Sequence, residues 1–341
     1  MKLNRRTVLA GLGAAALLPR YASAASIKDA TGREISLPDK VTRVFPAGPP
    51  AAIMLYTIAP DLLLGWTRAP SPPEKEFLTP EAAAKPELGR MTGRGNTANL
   101  EAVIAHKPDL ILDIGSASQT FVSLAERVRE QTGIPYVLLD GRFDATAASY
   151  RLLGKILGRE AQAEALAAYA ERTFATISQR IANIPAAERP RVYFARGPRG
   201  LETGLGGSIN VESIEMLAQN VAGQTKGGMA TVSIEQVLVW NPDIIFTIEP
   251  DFVARTKQEP GWAAVKAVKE DRVYLSPKLP FGWIDFPPSV NRLIGLWWLA
   301  KNLYPERFPE DMNLLTRDFY KLFYHIDLND AQLARVLAGQ G

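Results

Sequence analysis

Apolar and polar positions follow two patterns along the chain. Short continuous apolar runs, Leu110-Ile111-Leu112, Tyr136-Val137-Leu138-Leu139, Val192-Tyr193-Phe194, Ile244-Ile245-Phe246 and Val273-Tyr274-Leu275, alternate with segments of three- and four-residue apolar spacing. Runs without a polar face predict parallel strands covered on both sides by helices, so the fold class is α/β. Ile27 to Phe45 reads as an extended segment with a turn at Thr31-Gly32. Between Gly158 and Ile184, Leu166, Tyr169, Thr173, Ile177, Ile181 and Ile184 form one stripe, with Glu160, Glu164, Glu171, Arg172 and Arg180 elsewhere around the helix. Pro185 ends it. About 25 residues at 1.5 Å per residue make a rod of roughly 40 Å, and a rod of that kind should let the parts it joins reorient little.

One unit occurs twice. Asn99-Leu100-Glu101-Ala102-Val103-Ile104-Ala105-His106-Lys107-Pro108-Asp109-Leu110-Ile111-Leu112 aligns without gaps to Ser233-Ile234-Glu235-Gln236-Val237-Leu238-Val239-Trp240-Asn241-Pro242-Asp243-Ile244-Ile245-Phe246, with an offset of 134 residues and five identical positions. Each copy predicts a short helix with a capping Asn or Ser, an acid in its first turn, a proline stop and a buried strand. The offset is about the size of one α/β domain. The expected organisation is a lobe over 25–157, a connecting helix over 158–185 and a second lobe over 186–341.

Residues 1–24 carry Arg5-Arg6, an apolar stretch from Val8 to Leu18 and Ala22-Ser23-Ala24. This is the plan of a cleaved export signal, with an apolar core of about 11 residues against the roughly 20 needed to span a bilayer. The paired arginines and Arg20 near the cleavage site point to the twin-arginine route. The whole chain has a formal charge of +3 and a pI near 9.0. Cleavage removes Lys2, Arg5, Arg6 and Arg20 and no acid, which leaves about −1. The basic character therefore belongs to the leader, and nothing else argues for a nucleic-acid partner. Zero Cys excludes disulfides, thiol nucleophiles and Cys-ligated metal, and only His106 and His325 are left for imidazole chemistry. A soluble periplasmic protein is expected.

The export signal, Gly93-Arg94-Gly95-Asn96-Thr97-Ala98-Asn99-Leu100-Glu101 running into Lys107-Pro108-Asp109-Leu110-Ile111-Leu112, the long helix and the second copy of the unit together resemble one family. It is the siderophore-, haem- and cobalamin-type substrate-binding proteins of bacterial ABC importers. Gly204-Leu205-Gly206-Gly207-Ser208-Ile209-Asn210 followed by Asn220-Val221-Ala222 resembles its second-lobe opening. The resemblance implies two Rossmann-like lobes joined by a single long helix, with ligand in the cleft between them, and a monomer that docks on a permease dimer in the inner membrane. It also implies that Arg94 contacts ligand and that Glu101 and Glu235 form salt bridges to permease arginines; the plain alternative for both acids is helix capping.

The residues themselves offer candidates where loops leave the sheets, the usual ligand-binding edge of open α/β folds. Arg94 lies in a Gly-rich loop, and Arg196 and Arg199 follow the strand ending at Ala195. A guanidinium there can hold a carboxylate, catecholate, phosphate or oxyanion, or pair with a nearby acid. Trp283 and Trp66 can wall a cleft or pack inside a lobe. His106, matched to Trp240 in the repeat, reads as packing, as do His325, Tyr136, Tyr274 and at least one of Trp297 and Trp298. An enzyme needs a nucleophile with a base or a metal cluster, and neither pattern occurs, so no catalytic residue, metal ligand or cofactor is expected. The favoured ligand is an anionic ferric chelate; molybdate or tungstate, a corrinoid or haem, and an exported enzyme are the alternatives. Asp285 and Glu202 are the carboxylates that keep a bare cation open.

Overall fold

The computed structural model describes residues 26–93, 97–115 and 119–339. The expected export signal and Arg94 therefore lie outside the described residues. Two parallel sheets organise the fold. The first holds β3 (Val44–Pro46), β4 (Leu110–Gly115) and β5 (Tyr136–Asp140) in that order, preceded by a hairpin of β1 (Ser26–Lys28) and β2 (Glu34–Ser36). Its turn places Gly32 at φ 78°, and the Asp29 carboxylate accepts from Thr31 and Arg33. The Ala30 amide donates to Leu138 O and fastens the hairpin to β5.

The second sheet uses β6 (Arg191–Ala195), β8 (Gln219–Asn220), β10 (Ile244–Thr247) and β11 (Val273–Leu275) in the order β11-β10-β6-β8. β7 (Glu202–Gly204) and β9 (Met229–Thr231) form a separate antiparallel pair. All five predicted apolar runs are strands. The inner runs are continuous because both faces are covered: β4 is buried through Ile114 and β10 throughout, whereas β11 at the sheet edge is half-buried.

The repeat extends further than the sequence alignment suggests. Val44 pairs with Leu110 and Val192 with Ile244, which are matched positions, so β3 and β6 are also equivalent. Arg43 donates to His106 O and Arg191 to Trp240 O, both at 2.6 Å. The carboxylates of Asp109 and Asp243 accept the amides of Arg43 and Arg191 at 2.9 and 3.0 Å. His106 faces Phe45, and Trp240 faces Tyr193, at centroid separations of 6.5 and 6.1 Å. His106 is thus a packing residue of a duplicated frame.

The long helix runs Glu160–Ile181, 22 residues and about 33 Å. It buries Leu166, Thr173, Ile177 and Ile181 as its stripe predicts. Within the expected second lobe over 186–341, the C-terminal segment crosses back and packs on the first lobe. Tyr56 Oη donates to Tyr324 O at 2.6 Å, Tyr320 packs on Phe77, and Arg335 pairs with Glu76. Apolar residues at 312–337 find there the uncovered side of the helix Pro49–Ile58, whose own residues from Ala51 to Ile58 are all buried. One core therefore runs through both sheets and this returning segment.

Candidate functional site

The C-terminal edge of the second sheet carries a small polar cluster. Arg196 follows β6 directly, and its Nη1 lies 2.9 Å from Asp285 Oδ2, with side chains 13% and 1% exposed. Asp285 Oδ1 accepts from Asn210 Nδ2 at 2.8 Å and from the Phe286 amide at 2.7 Å. Arg196 Nε is buried and has no hydrogen-bond partner among the described residues. Arg196 and Glu202 exchange both backbone hydrogen bonds, closing a turn that leaves Arg199 exposed beyond it. The Gly197 amide donates to Glu249 Oε1, so a third charged group stands at the same edge.

Asp285 belongs to a crossing segment, 276–291, that joins the two lobes. Ser289 Oγ donates to Pro50 O in the first lobe, and Asn291 Nδ2 donates to Gly282 O and Pro287 O. A Cβ on Gly282 would meet Asp285 O at 2.0 Å, so only glycine admits this path. Phe286 sits at φ 71° with its ring 59% exposed, next to the Arg196–Asp285 pair. The segment ends at Arg292, buried between the lobes. Its guanidinium binds Glu212 Oε2 at 2.7 Å and Ile209 O at 2.9 Å, and lies 4.4 Å above the Phe143 ring. Burial pushes the Arg292 pKa down against the pull of Glu212 and Asp285.

The first sheet ends differently. Asp113, 1% exposed on β4, accepts from Thr92 Oγ1 and Tyr136 Oη, both at 3.0 Å, and from the Ile114 amide at 2.9 Å. Burial raises its pKa despite these three donors. The Met91 and Thr92 amides both donate to Ala47 O, which pins the backbone just before Arg94 to the end of β3.

Residues 60–279, more than half the chain, match the family described as periplasmic binding protein. The chain belongs to that family. This periplasmic binding protein resembles the solved ABC transporter solute binding protein from Sulfurospirillum deleyianum at 30% identity and TM-score 0.83, covering 91% of this chain and 98% of that one. It is 29% identical to the molybdate-binding protein MolA of Haemophilus influenzae over 278 residues, 73% of this chain and 77% of the relative. The structure of MolA bound to molybdate matches at 25% identity and TM-score 0.72, covering 89% and 99% of the two chains. An ABC-type Fe3+-hydroxamate transport protein from Saccharomonospora viridis, at 20% identity and TM-score 0.61 over 82% and 99%, shares the fold. The chain is thus a solute-binding protein of an ABC transporter, a class that pairs with membrane permeases. No helix among the described residues is long and apolar enough to cross a membrane.

Within this periplasmic binding protein, two expected cleft walls are core. Trp283 is fully buried. Trp66 is 3% exposed; its Nε1 donates to Ala82 O at 2.7 Å and its ring packs on Tyr56 and Phe281. Both are core residues of one cluster: Phe281 of the crossing segment packs on Trp66, and Trp283, itself in that segment, is buried in the same core as Tyr320 and Tyr324 of the returning C-terminus. The helix after the crossing segment runs Arg292–Leu303, and Trp298 on it packs on Phe246 in the core. Arg196 and Arg199 share one turn, while Glu101 and Glu235 stand exposed on the matched helices, where Asn99 and Ser233 make the caps. Sequence reasoning did not single out Arg292 or Phe286, which flank this edge, and weighed Asp285 only as a possible cation ligand. The one available signal was Gly282-Trp283-Ile284-Asp285-Phe286-Pro287-Pro288, a glycine- and proline-bounded apolar stretch too short for a helix.

Proposed function

We propose that this binding protein carries a small tetrahedral oxyanion of the molybdate and tungstate class to its permease. The similarity to MolA in both sequence and molybdate-bound structure carries this reading. The site chemistry agrees. With Trp66 and Trp283 turned into the core, the second sheet's edge carries charged and polar groups beside the exposed Phe286, and the Arg196 guanidinium, paired to Asp285 through Nη1 but with its Nε unpartnered among the described residues, retains donor capacity for an oxyanion. Arg196 is the donor proposed at this edge, Arg199 adds positive charge in the same turn, and Arg94 is the donor that the sequence offers from the first lobe. Titration calorimetry of the purified protein with molybdate, tungstate, sulfate and a ferric hydroxamate tests the ligand. Saturable one-to-one binding of molybdate or tungstate is expected, with Arg196→Ala and Arg94→Ala each weakening it about tenfold or more, roughly 1.4 kcal/mol. Binding of the ferric chelate without the oxyanions would overturn the ligand reading, and wild-type affinity in both variants would overturn the site.

Glu101 and Glu235 are proposed to meet basic side chains on the permease. Such exposed pairs steer and orient more than they hold.

A further inference from the structure

Four large apolar side chains stand exposed among the described residues: Ile104, Val239, Phe286 and Leu314. Two of the four lie on the duplicated helices Leu100–Ala105 and Ile234–Trp240. Single exposed apolar residues need no explanation; a pair recurring on matched elements 134 residues apart does. The two helices are seated alike, with Val103 and Val237 at matched positions and both 0% exposed. Glu101 precedes Ile104 by three residues and Glu235 precedes Val239 by four, so each acid lies beside a β-branched side chain on the outer face. The matched residues behave alike in part: Ala105, aligned with Val239, is exposed too, while Leu238, aligned with Ile104, is half-buried.

We infer that Ile104 and Val239 are the apolar anchors of a two-point docking surface, each filling a seat on one subunit of the permease dimer next to a basic residue that meets Glu101 or Glu235. This rests on the permease docking proposed above and adds what holds the complex once charge has steered it. The occupant should carry two similar surfaces, because the two patches lie on copies of one helix, with Ile104 and Val239 one position out of register. It must also be basic there. A second copy of this chain would set Glu101 or Glu235 against another acid, which disfavours it. Because burial of an apolar side chain is insensitive to ionic strength and exposed ion pairs are not, the two components separate experimentally.

The test is affinity for the cognate permease reconstituted in lipid nanodiscs, measured across a salt series for the wild type, Ile104→Ser/Val239→Ser and Glu101→Gln/Glu235→Gln. Molybdate binding, melting temperature and sedimentation are followed in parallel. The Ser double variant should dock about tenfold or more weakly at every salt concentration, with the wild-type salt slope, fold and ligand affinity. The Gln double variant should flatten the salt slope. Wild-type docking by the Ser variant with an effect from the Gln variant overturns the apolar anchors alone. Wild-type docking by both overturns the docking reading beneath them. A wild-type dimer in sedimentation that the Ser variant dissociates assigns the patches to self-association and overturns the proposal.

Discussion

The two copies of the helix–strand frame agree at their base and part at their strand ends. At the base, Arg43 and Asp109 repeat the bonding of Arg191 and Asp243. Strand register then matches Gly48 with Arg196 and Asp113 with Thr247. One sheet therefore ends in a buried carboxyl satisfied by hydroxyls and an amide, and the other in a guanidinium paired to Asp285 from the crossing segment. The base of each frame serves stability, so identical chemistry serves both lobes. The strand ends face the region where ligand is proposed to bind, and there the copies differ.

The strongest way to break this comparison is at the crossing segment, which only the second lobe supplies. Arg292→Ala strands Glu212 and the carbonyl of Ile209, and should cost about 3–5 kcal/mol, the range for breaking a buried pair. Trp283→Ala should cost about 3–5 kcal/mol as a buried indole lost from a packed core. Urea unfolding checks both. If Trp283→Ala instead weakened ligand binding at near wild-type stability, the indole would be a cleft residue after all.

The frame itself gives a smaller, symmetric expectation. Asp109→Ala and Asp243→Ala each remove hydrogen bonds from a carboxylate to a following strand's amide, and each should cost about 1.5 kcal/mol. Near-equal losses in urea unfolding would support one frame used twice, whereas a loss confined to one copy would show that the equivalence is geometric only.

The smallest effect concerns pH at the first sheet's end. Asp113 has a raised pKa in the folded state, so folding takes up a proton above the unfolded value of 3.8, and the stabilisation from the neutral carboxyl is lost as pH rises through the raised value. Asp113→Asn keeps a neutral group of the same shape beside Thr92 and Tyr136. The variant should match the wild type near pH 4 and be the more stable at pH 7, judged by urea midpoints at the two values. A wild type that stays the more stable at pH 7 would mean that the ionised carboxylate is well accommodated by its three donors.

Much of this protein is local, and what is local was readable. The five apolar strands, the stripe of the long helix, the Asn99 and Ser233 caps and the repeat itself depend on residues within a few positions of one another. The Thr31-Gly32 turn belongs with them. The extended repeat was not readable, because Arg43 and Arg191 are 148 residues apart while the aligned segments are 134 apart, and only strand register shows that they correspond. The fates of Trp66, Trp283 and Arg196 were also hidden. Trp66 meets Phe281 from 215 residues away and Arg196 meets Asp285 from 89 residues away, while Trp283 is buried by the core that its own crossing segment enters. Periodicity and capping are written in neighbouring side chains, so sequence alone determined the elements and their duplication. Whether a tryptophan is a wall or a core residue, and whether an arginine stands ready or already holds a carboxylate, depends on what folds over it. Tertiary structure decided that, because burial and pairing are properties of residues brought together from distant parts of the chain.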